Sequence, residues 1–371
     1  MVSEVSIQSS TVIGVSVSRR NVYQLLFQCP HERLLELAKA NEKAKTTLFF
    51  YSLHDVDVNK KRISGVYYNS STGRWERGLF PYPNVLYKRG GLSLSSEHMV
   101  KKYLKFQHQL AKSGVKMLNY QLGFNKWDLY KHLKKTTLRK HLPKTMQMKS
   151  PKVLEYMIKR YPSIYVKAAR GRRGKQVVKV TKLTDGSFEY RYFNGSLSIQ
   201  KAKNIVTLYR QLKAYFGNRE IIAQEAIDLI KINHSVVDFR AELQRNGNGK
   251  LEIIGIPVRV SQTNSPITTH ANSYVFEDFF ADYMNYSKNQ IQTVKKKVET
   301  FLKNVYLEIE KIYGPVGEIG IDFAIDQKGK LKLIECNSQS AKVSLCKAYD
   351  QEAVDSIFLN PLEYAKYLTA H

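Results

Sequence analysis

Three oxygen-bearing side chains near the end of the chain set the first chemical constraint. In the stretch EIGIDFAIDQKGKLKLIECN, residues 318–337, two alternating apolar segments flank the turn DQKGK, which predicts a β-hairpin. Side chains two apart on a strand point the same way. On the first strand Ile319, Ile321, Phe323 and Ile325 share one face and Asp322 takes the other. On the second, Leu331, Leu333, Glu335 and Asn337 are expected to share a face, with Cys336 opposite. The hairpin then sets Asp322 beside Glu335 and Asn337. Hard oxygen donors of this kind suit Mg²⁺, which takes one or two carboxylates and completes its shell with phosphate oxygens and water. The alternative is an edge hairpin whose polar side faces water. Cys336 reads as a small core residue.

A second constellation, IYVKAARGRRGKQVVKV, spans residues 164–180. An apolar strand delivers Lys167, a loop carrying Gly171 and Gly174 follows, and an apolar strand returns. A glycine loop between antiparallel strands can close over phosphate oxygens with its backbone N–H groups. Lys167, Arg170, Arg172, Arg173 and Lys175 add positive charge there. With no following helix and no GK[ST], this is not a Walker-type loop, and an ordinary basic hairpin loop has the same outline. Third, EIIAQEAIDL (residues 220–229) reads as a strand running into a polar turn. It can offer backbone groups to an adenine edge, with Glu225 or Asp228 near ribose hydroxyls. Arg240 and Arg259 each fall at a strand position, as a structural ion pair or as a phosphate clamp. The nine histidines show no HxH or HxxxH spacing, and no Ser–His–Asp motif occurs.

These residues need elements to hold them. The first 118 residues alternate strand and helix patterns: strands at 11–17, 46–52, 62–68, 74–79 and 84–87, and a helix over 30–44. Such alternation favours a layered α/β or α+β arrangement. Further boundaries are expected near residues 118/119 and 215/216. The clearest helix is 287–313, where Ser287 and Gln290 make a capping box and Ile291, Val294, Val298, Phe301, Val305, Ile309 and Ile312 make one apolar stripe. Lys295, Lys296 and Lys297 fall mostly on its wet side.

Composition narrows the class. With 371 residues and 43% hydrophobic content, the chain has enough material for a sizeable core. No apolar run reaches membrane-spanning length, and no secretory signal pattern is read. Three cysteines without a CxxC pair point to a reducing compartment, hence a cytoplasmic location. The net charge of +27 draws polyanions and acidic small molecules. The cations are nevertheless scattered, with no RNP-like, zinc-finger or basic-zipper pattern, so nucleic acid is not the expected partner.

Taken together, the chain resembles the ATP-grasp superfamily, and within it the endospore-coat-associated YheC/YheD-like family of spore-forming bacteria. The resemblance covers nearly the whole length. It runs through residues 49–91, with Trp75, Pro81, Pro83, Tyr87 and Arg89, and through FNKWDLYKHL (residues 124–133), where Lys126 matches the first nucleotide lysine. It implies two α+β lobes clamping a nucleotide, preceded by a small α/β domain: residues 1–118, a central lobe 119–215 with the glycine loop, and a C-terminal lobe 216–371 with the metal site. Lys126, Lys167, Gly171, Gly174 and Lys175 would hold ATP phosphates, and Gln224, Glu225, Ala226 and Asp228 the base and ribose. Arg240 and Arg259 would act on the transferring phosphate, and Asp322, Glu335 and Asn337 on Mg²⁺. The implied activity is a carboxylate–amine (or thiol) ligase working through an acyl phosphate, on a small or peptide-like carboxylate, acidic ones included. The alternatives are an ATP-binding coat or assembly protein without turnover, or a polyanion-binding protein. The chain departs from the family's KPxxGSxGxGI loop at Ala168, Arg172 and Gln176, and from a TNxxxGG-like segment at residues 268–273.

Overall fold

The computed structural model describes all residues except 1–3, 6–10, 91–95, 122, 172–175 and 263–271, so the expectations for Arg172, Arg173, Gly174, Lys175 and most of the 268–273 segment lie outside the described residues. The first sheet contains β1 (Val12–Ser16), β2 (Thr47–Tyr51), β3 (Val56–Asp57), β4 (Arg62–Asn69), β5 (Arg74–Pro81), β6 (Val85–Lys88) and β7 (Lys116–Met117). Its spatial order is β3-β4-β2-β1-β6-β7, with β5 on β4. The strands β2, β1, β6 and β7 run parallel. Between β1 and β2 come α1 (Arg19–Leu26) and α2 (Glu32–Ala44), while α3 (Glu97–Lys112) joins β6 to β7. The helices α1 and α2 bury Val22, Leu25, Leu34 and Leu37 against one sheet face, and α3 buries Met99, Phe106 and Leu110 against the other. Right-handed crossovers leaving in opposite directions along a sheet place their helices on opposite faces. The winding therefore reverses between β1 and β6. Sequence patterning missed α1, an eight-residue helix opened by Ser18, whose hydroxyl accepts from the Asn21 N–H at 3.1 Å.

The second sheet is antiparallel, ordered β12-β11-β10-β9-β13-β8. Its strands are β8 (Thr145–Gln147), β9 (Ser163–Ala168), β10 (Val177–Lys182), β11 (Phe188–Asn194), β12 (Ser196–Ala202) and β13 (Ile221–Glu225). Strand alternation assigns its two faces. Ile164, Val166, Val178, Ile221 and Ala223 pack on α5 (Pro151–Arg160) and α6 (Ile205–Phe216). Tyr165, Lys167, Ile222 and Gln224 take the opposite face.

The third sheet is ordered β18-β17-β15-β19-β20, with β14 (Lys231–Ile232) and β16 (Leu251–Gly255) also on β15 (Ser235–Arg245). Its remaining strands are β17 (Val258–Val260), β18 (Asn272–Tyr274), β19 (Glu318–Ile325) and β20 (Leu331–Asn337). Phe239, Ile319, Ile321 and Phe323 face α7 (Phe276–Asp282) and α8 (Lys288–Tyr313). The expected stripe of α8 lies in or against this core, and its capping box is formed, Ser287 N–H donating to Gln290 Oε1 at 2.8 Å. The residues alternating with that core, Asp238, Arg240, Glu242, Gln244, Glu318 and Asp322, are charged or polar and buried or nearly so. Such a face persists only where charges pair or meet a ligand.

Packing crosses these units. Phe124 and the helix α4 (Lys126–Leu133) insert Leu129 and Leu133 into the third sheet's core, ahead of the second sheet in sequence. Past α9 (Val343–Ala348), the helix α10 (Gln351–Ala370) returns to the first sheet, burying Ile357, Phe358 and Leu362 beside α2. Asn119 ties first sheet to third: its amide oxygen accepts from the Gly317 and Glu318 N–H groups at 2.8 and 3.1 Å, and its amide nitrogen donates to the Glu318 and Ser338 carbonyls. Among the described residues no helix is long and apolar enough to cross a membrane.

Candidate active site

The hairpin carrying the three oxygen donors forms with a correction to its register. Asp322 pairs with Glu335 and Gly320 with Asn337, but Phe323 pairs with Leu333, so β20 carries a bulge around Ile334. An extra residue in one strand shifts its facing by one position. Leu333 and Cys336 both enter the core while Glu335 and Asn337 turn to the opposite face with Asp322. The expectation that Leu331, Leu333, Glu335 and Asn337 share one face is therefore wrong at the leucines; the bulge is what lets an apolar strand end in two site residues. Asn337 Nδ2 donates to Asp322 Oδ2 at 3.4 Å. Burial pushes the Cys336 thiol well above its ordinary pKa, as a core residue requires.

Opposite this face stand two lysines. Lys126, the first residue of α4, reaches Glu335 Oε1 at 3.1 Å and the Gly171 carbonyl at 3.3 Å. Asn125 caps α4, accepting from the Trp127 N–H at 2.8 Å, and its amide nitrogen meets Glu220 at 3.1 Å. Lys167, next to last in β9, is 8% exposed and donates to Gln224 Oε1 at 2.7 Å; Gln224 in turn donates to the Thr145 hydroxyl at 3.0 Å. Burial lowers the Lys167 pKa to about 8, helped by Lys126 and opposed by Glu335 and Asp322. Antiparallel pairing of β9 and β10 sets Lys167 across from Val177. At the loop's exit Gln176 adopts φ +62°, the left-handed conformation that glycine takes freely, at the position where the family's loop has its last glycine.

Arg240 and Arg259 lie at the third wall, on carboxylates. Arg240 grips Asp322 through two N–H groups, Nη2 to Oδ2 at 2.9 Å. Arg259 grips Asp238 at 2.6 and 2.8 Å and reaches Asp322 at 3.2 Å. Burial pushes the Asp322 carboxyl up, but the two guanidinium groups outweigh it and hold it below the usual carboxylate range. Gly320 makes this fit: a Cβ there would lie 2.8 Å from Arg240 Nη1 and 3.0 Å from Ser340 Oγ. Gly320→Ala is expected to destabilise by about 1–3 kcal/mol through this overpacking, read as a lower urea midpoint at unchanged m-value.

Sequence reading missed the network beneath these groups. Glu318, 1% exposed, receives Arg89, the residue after β6, at 2.5 Å and the ammonium of Lys342, while Ser340 donates to buried Glu242 at 2.5 Å. Burial raises Glu318, and Lys342 and Arg89 outweigh it and hold its carboxyl low. Its one legible sign is a glutamate opening an otherwise apolar strand. Ile222 was also missed; with Lys126, Gln224, Ile334 and Glu335 it lines a narrow gap of about 40 Å³ between the second and third sheets, smaller than a planar base. The remaining candidates sit on the link between those sheets. Glu225 and Ala226 donate their N–H groups to the Lys144 and Ser163 carbonyls, and the exposed Asp228 accepts from the Gln327 N–H at 3.0 Å.

Two carboxylates and an amide oxygen on one rigid face, with cations across from them, match the donor set of a Mg²⁺ ion that shares its shell with phosphates. Among the described residues no cluster of three His, Cys, Asp or Glu side chains stands ready to hold a metal unaided. An antiparallel sheet with two helices behind it, facing a second sheet across lysines and a carboxylate hairpin, is the ATP-grasp fold. The family model for YheC/D-like ATP-grasp proteins matches residues 114–368, and the chain belongs to that family. Endospore coat-associated protein YheD of Bacillus subtilis (strain 168) is 25% identical over 338 residues, covering 90% of this chain and 73% of that protein. YheC of the same organism is 19% identical, covering 90% of this chain and 91% of that protein. Among solved structures, the ATP-grasp ligase PsnB complexed with a phosphomimetic variant of minimal precursor, Mg and ADP aligns at TM-score 0.56 and 11% identity, over 98% of this chain and 99% of that one.

Proposed function

We propose that this protein binds Mg²⁺–ATP between its second and third sheets and ligates a carboxylate to an amine or thiol through an acyl phosphate, in the service of spore formation or the spore coat. The supporting observation is the face of Asp322, Glu335 and Asn337 set against Lys126 and Lys167. Asp322, Glu335 and Asn337 would hold the metal. Lys126 and Lys167 would neutralise the phosphates from across the cleft, and Arg240 would reach the transferring phosphoryl group from its place on Asp322. Bound Mg²⁺ would stabilise charge on that group and orient it. The gap beside Ile222 and Gln224 would widen, by the two sheets moving apart, to take the base. Relatives named for the endospore coat, and the absence of a membrane-crossing helix among the described residues, support a cytoplasmic protein that acts at the forming coat.

The test is thermal unfolding with and without Mg²⁺–ATP, the Glu335→Gln variant alongside. At about 100 times its dissociation constant a ligand adds roughly 2.7 kcal/mol, several degrees for a protein of this size. The rise is expected to need Mg²⁺ and to vanish in the variant; a protein unmoved by millimolar nucleotide refutes the site. One observation favours a reading without turnover: Gln176 holds a glycine's conformation in the loop that would cover the phosphates, and Ala168 replaces the family's proline. ADP release dependent on an added acceptor separates the two readings.

A further inference from the structure

The first sheet carries a buried cation that phosphate chemistry does not use. Lys88 closes β6 and is 7% exposed, yet its ammonium meets no hydrogen-bond or ion-pair partner among the described residues. Its neighbour Arg89 is already engaged by Glu318 and by the Ser340 carbonyl at 2.9 Å. Burying an ammonium without an anion is costly, and an incoming anion offsets that cost.

The location is specific. Lys88 alternates with Leu86, and the parallel register sets it beside Ser16 of β1, itself beside Tyr51 of β2. This is the carboxyl edge of the sheet at β1/β6, where the winding reverses and where open α/β sheets receive their ligands. The same edge is joined to the metal face. Gln339, two residues beyond Asn337, donates to the Lys88 carbonyl at 3.2 Å, and Ser340 links Arg89 to Arg240 and so to Asp322. A net charge of +27 draws acidic molecules toward such a cleft.

We infer that Lys88, beside Ser16, binds an anionic group of the substrate other than the carboxylate being activated, so that the substrate is at least a dicarboxylate, such as an acidic amino acid or an acidic peptide end. The inference rests on the ligase reading for what happens to the substrate, but the binding site itself is separable from it. The reacting carboxylate lies toward Asp322 and the lysines, and the second anion is held at the first sheet.

The test titrates the full-length protein calorimetrically with succinate, L-glutamate and a triglutamate peptide, and with L-glutamine as the neutral counterpart. Each titration is run with and without Mg²⁺ and a non-hydrolysable ATP analogue. At least one acidic probe is expected to bind, L-glutamine at least about 10-fold more weakly than L-glutamate. Lys88→Met, which removes the charge while keeping the stem, is expected to weaken the acidic probe by about 10–100-fold and leave the analogue's affinity unchanged. Lys88→Arg keeps most of the binding, and Ser16→Ala gives a smaller loss in the same direction. Binding of acidic probes that survives Lys88→Met, or no binding of any of the three to the parent protein, overturns the inference. Loss of analogue binding with the acidic probe still bound overturns the nucleotide reading instead.

Discussion

Asp322→Asn is expected to cost about 3–5 kcal/mol of folding stability, the scale for breaking a buried ion pair by removing one partner. The carboxylate neutralises two guanidinium groups at once: Arg240 through two N–H groups and Arg259 at 3.2 Å, with all three side chains between 11 and 16% exposed. After the change Arg240 stays buried beside Arg259, and Asp238 with the buried Glu242 is left to compensate that pair. Urea unfolding without nucleotide measures this directly. The metal role separates cleanly at Glu335, whose side chain is 23% exposed and paired with Lys126. Glu335→Gln is expected to cost under about 1 kcal/mol while abolishing the Mg²⁺-dependent thermal shift. A double change, Asp322→Leu with Arg240→Met, should recover much of the stability of Asp322→Asn and none of the nucleotide response. An Asp322→Asn protein as stable as its parent would show that the ion network does not hold the third sheet's inner face.

Nucleotide affinity is expected to fall as pH rises through about 8, because Lys167 loses its proton there rather than near 10.5. Two opposite signs follow from one shift. Between pH 8 and 10.5 the unfolded chain holds a proton that the folded protein has released, so this group makes stability rise with pH across that window. A polyphosphate, in contrast, favours the ammonium, so binding near pH 8.5 should take up a proton. Calorimetry in two buffers of different ionisation enthalpy counts that proton. Lys167→Met is expected to remove the uptake and to weaken binding at pH 7 by about 10–100-fold, the loss of a charge-assisted hydrogen bond. Affinity independent of pH from 7 to 9.5 would place Lys167 away from the phosphates.

What the sequence made legible was local. Alternation along residues 318–325 gave both faces of β19, and the glycine-bearing stretch after Lys167 gave an antiparallel pair, because period-two patterning acts within one strand and its neighbour. The bulge at Ile334 broke that rule; it shows in the shifted pairing of β20 and in the simultaneous burial of Leu333 and Cys336. Lys126 had no signal of its own, since a lysine opening a helix is commonplace; family resemblance pointed to it. The Arg89–Glu318 pair joins residues 229 apart, and Asn119 meets Glu318 across 199. No window along the chain contains such contacts, and each depends on three sheets being assembled first. Lys88 was invisible too: its interest is that it is buried without a partner among the described residues, which no pattern along the chain displays.

The last helix sets an order on how the molecule can be made. The hydrophobic face of α2, with Leu34, Leu37 and Ala38, is completed by Ile357, Phe358 and Leu362 of α10, more than 300 positions later in the chain. Chains emerge from the ribosome at about 5–20 residues per second. The first sheet therefore spends on the order of 15 seconds or more with that face uncovered, while the other two sheets are still being synthesised. During that interval it offers an apolar surface to chaperones and to other nascent chains, and closing so long a loop belongs to the slow end of folding. The edge carrying Lys88 and Arg89 waits almost as long, because Glu318, Gln339 and Ser340, which set it, also come late in the chain.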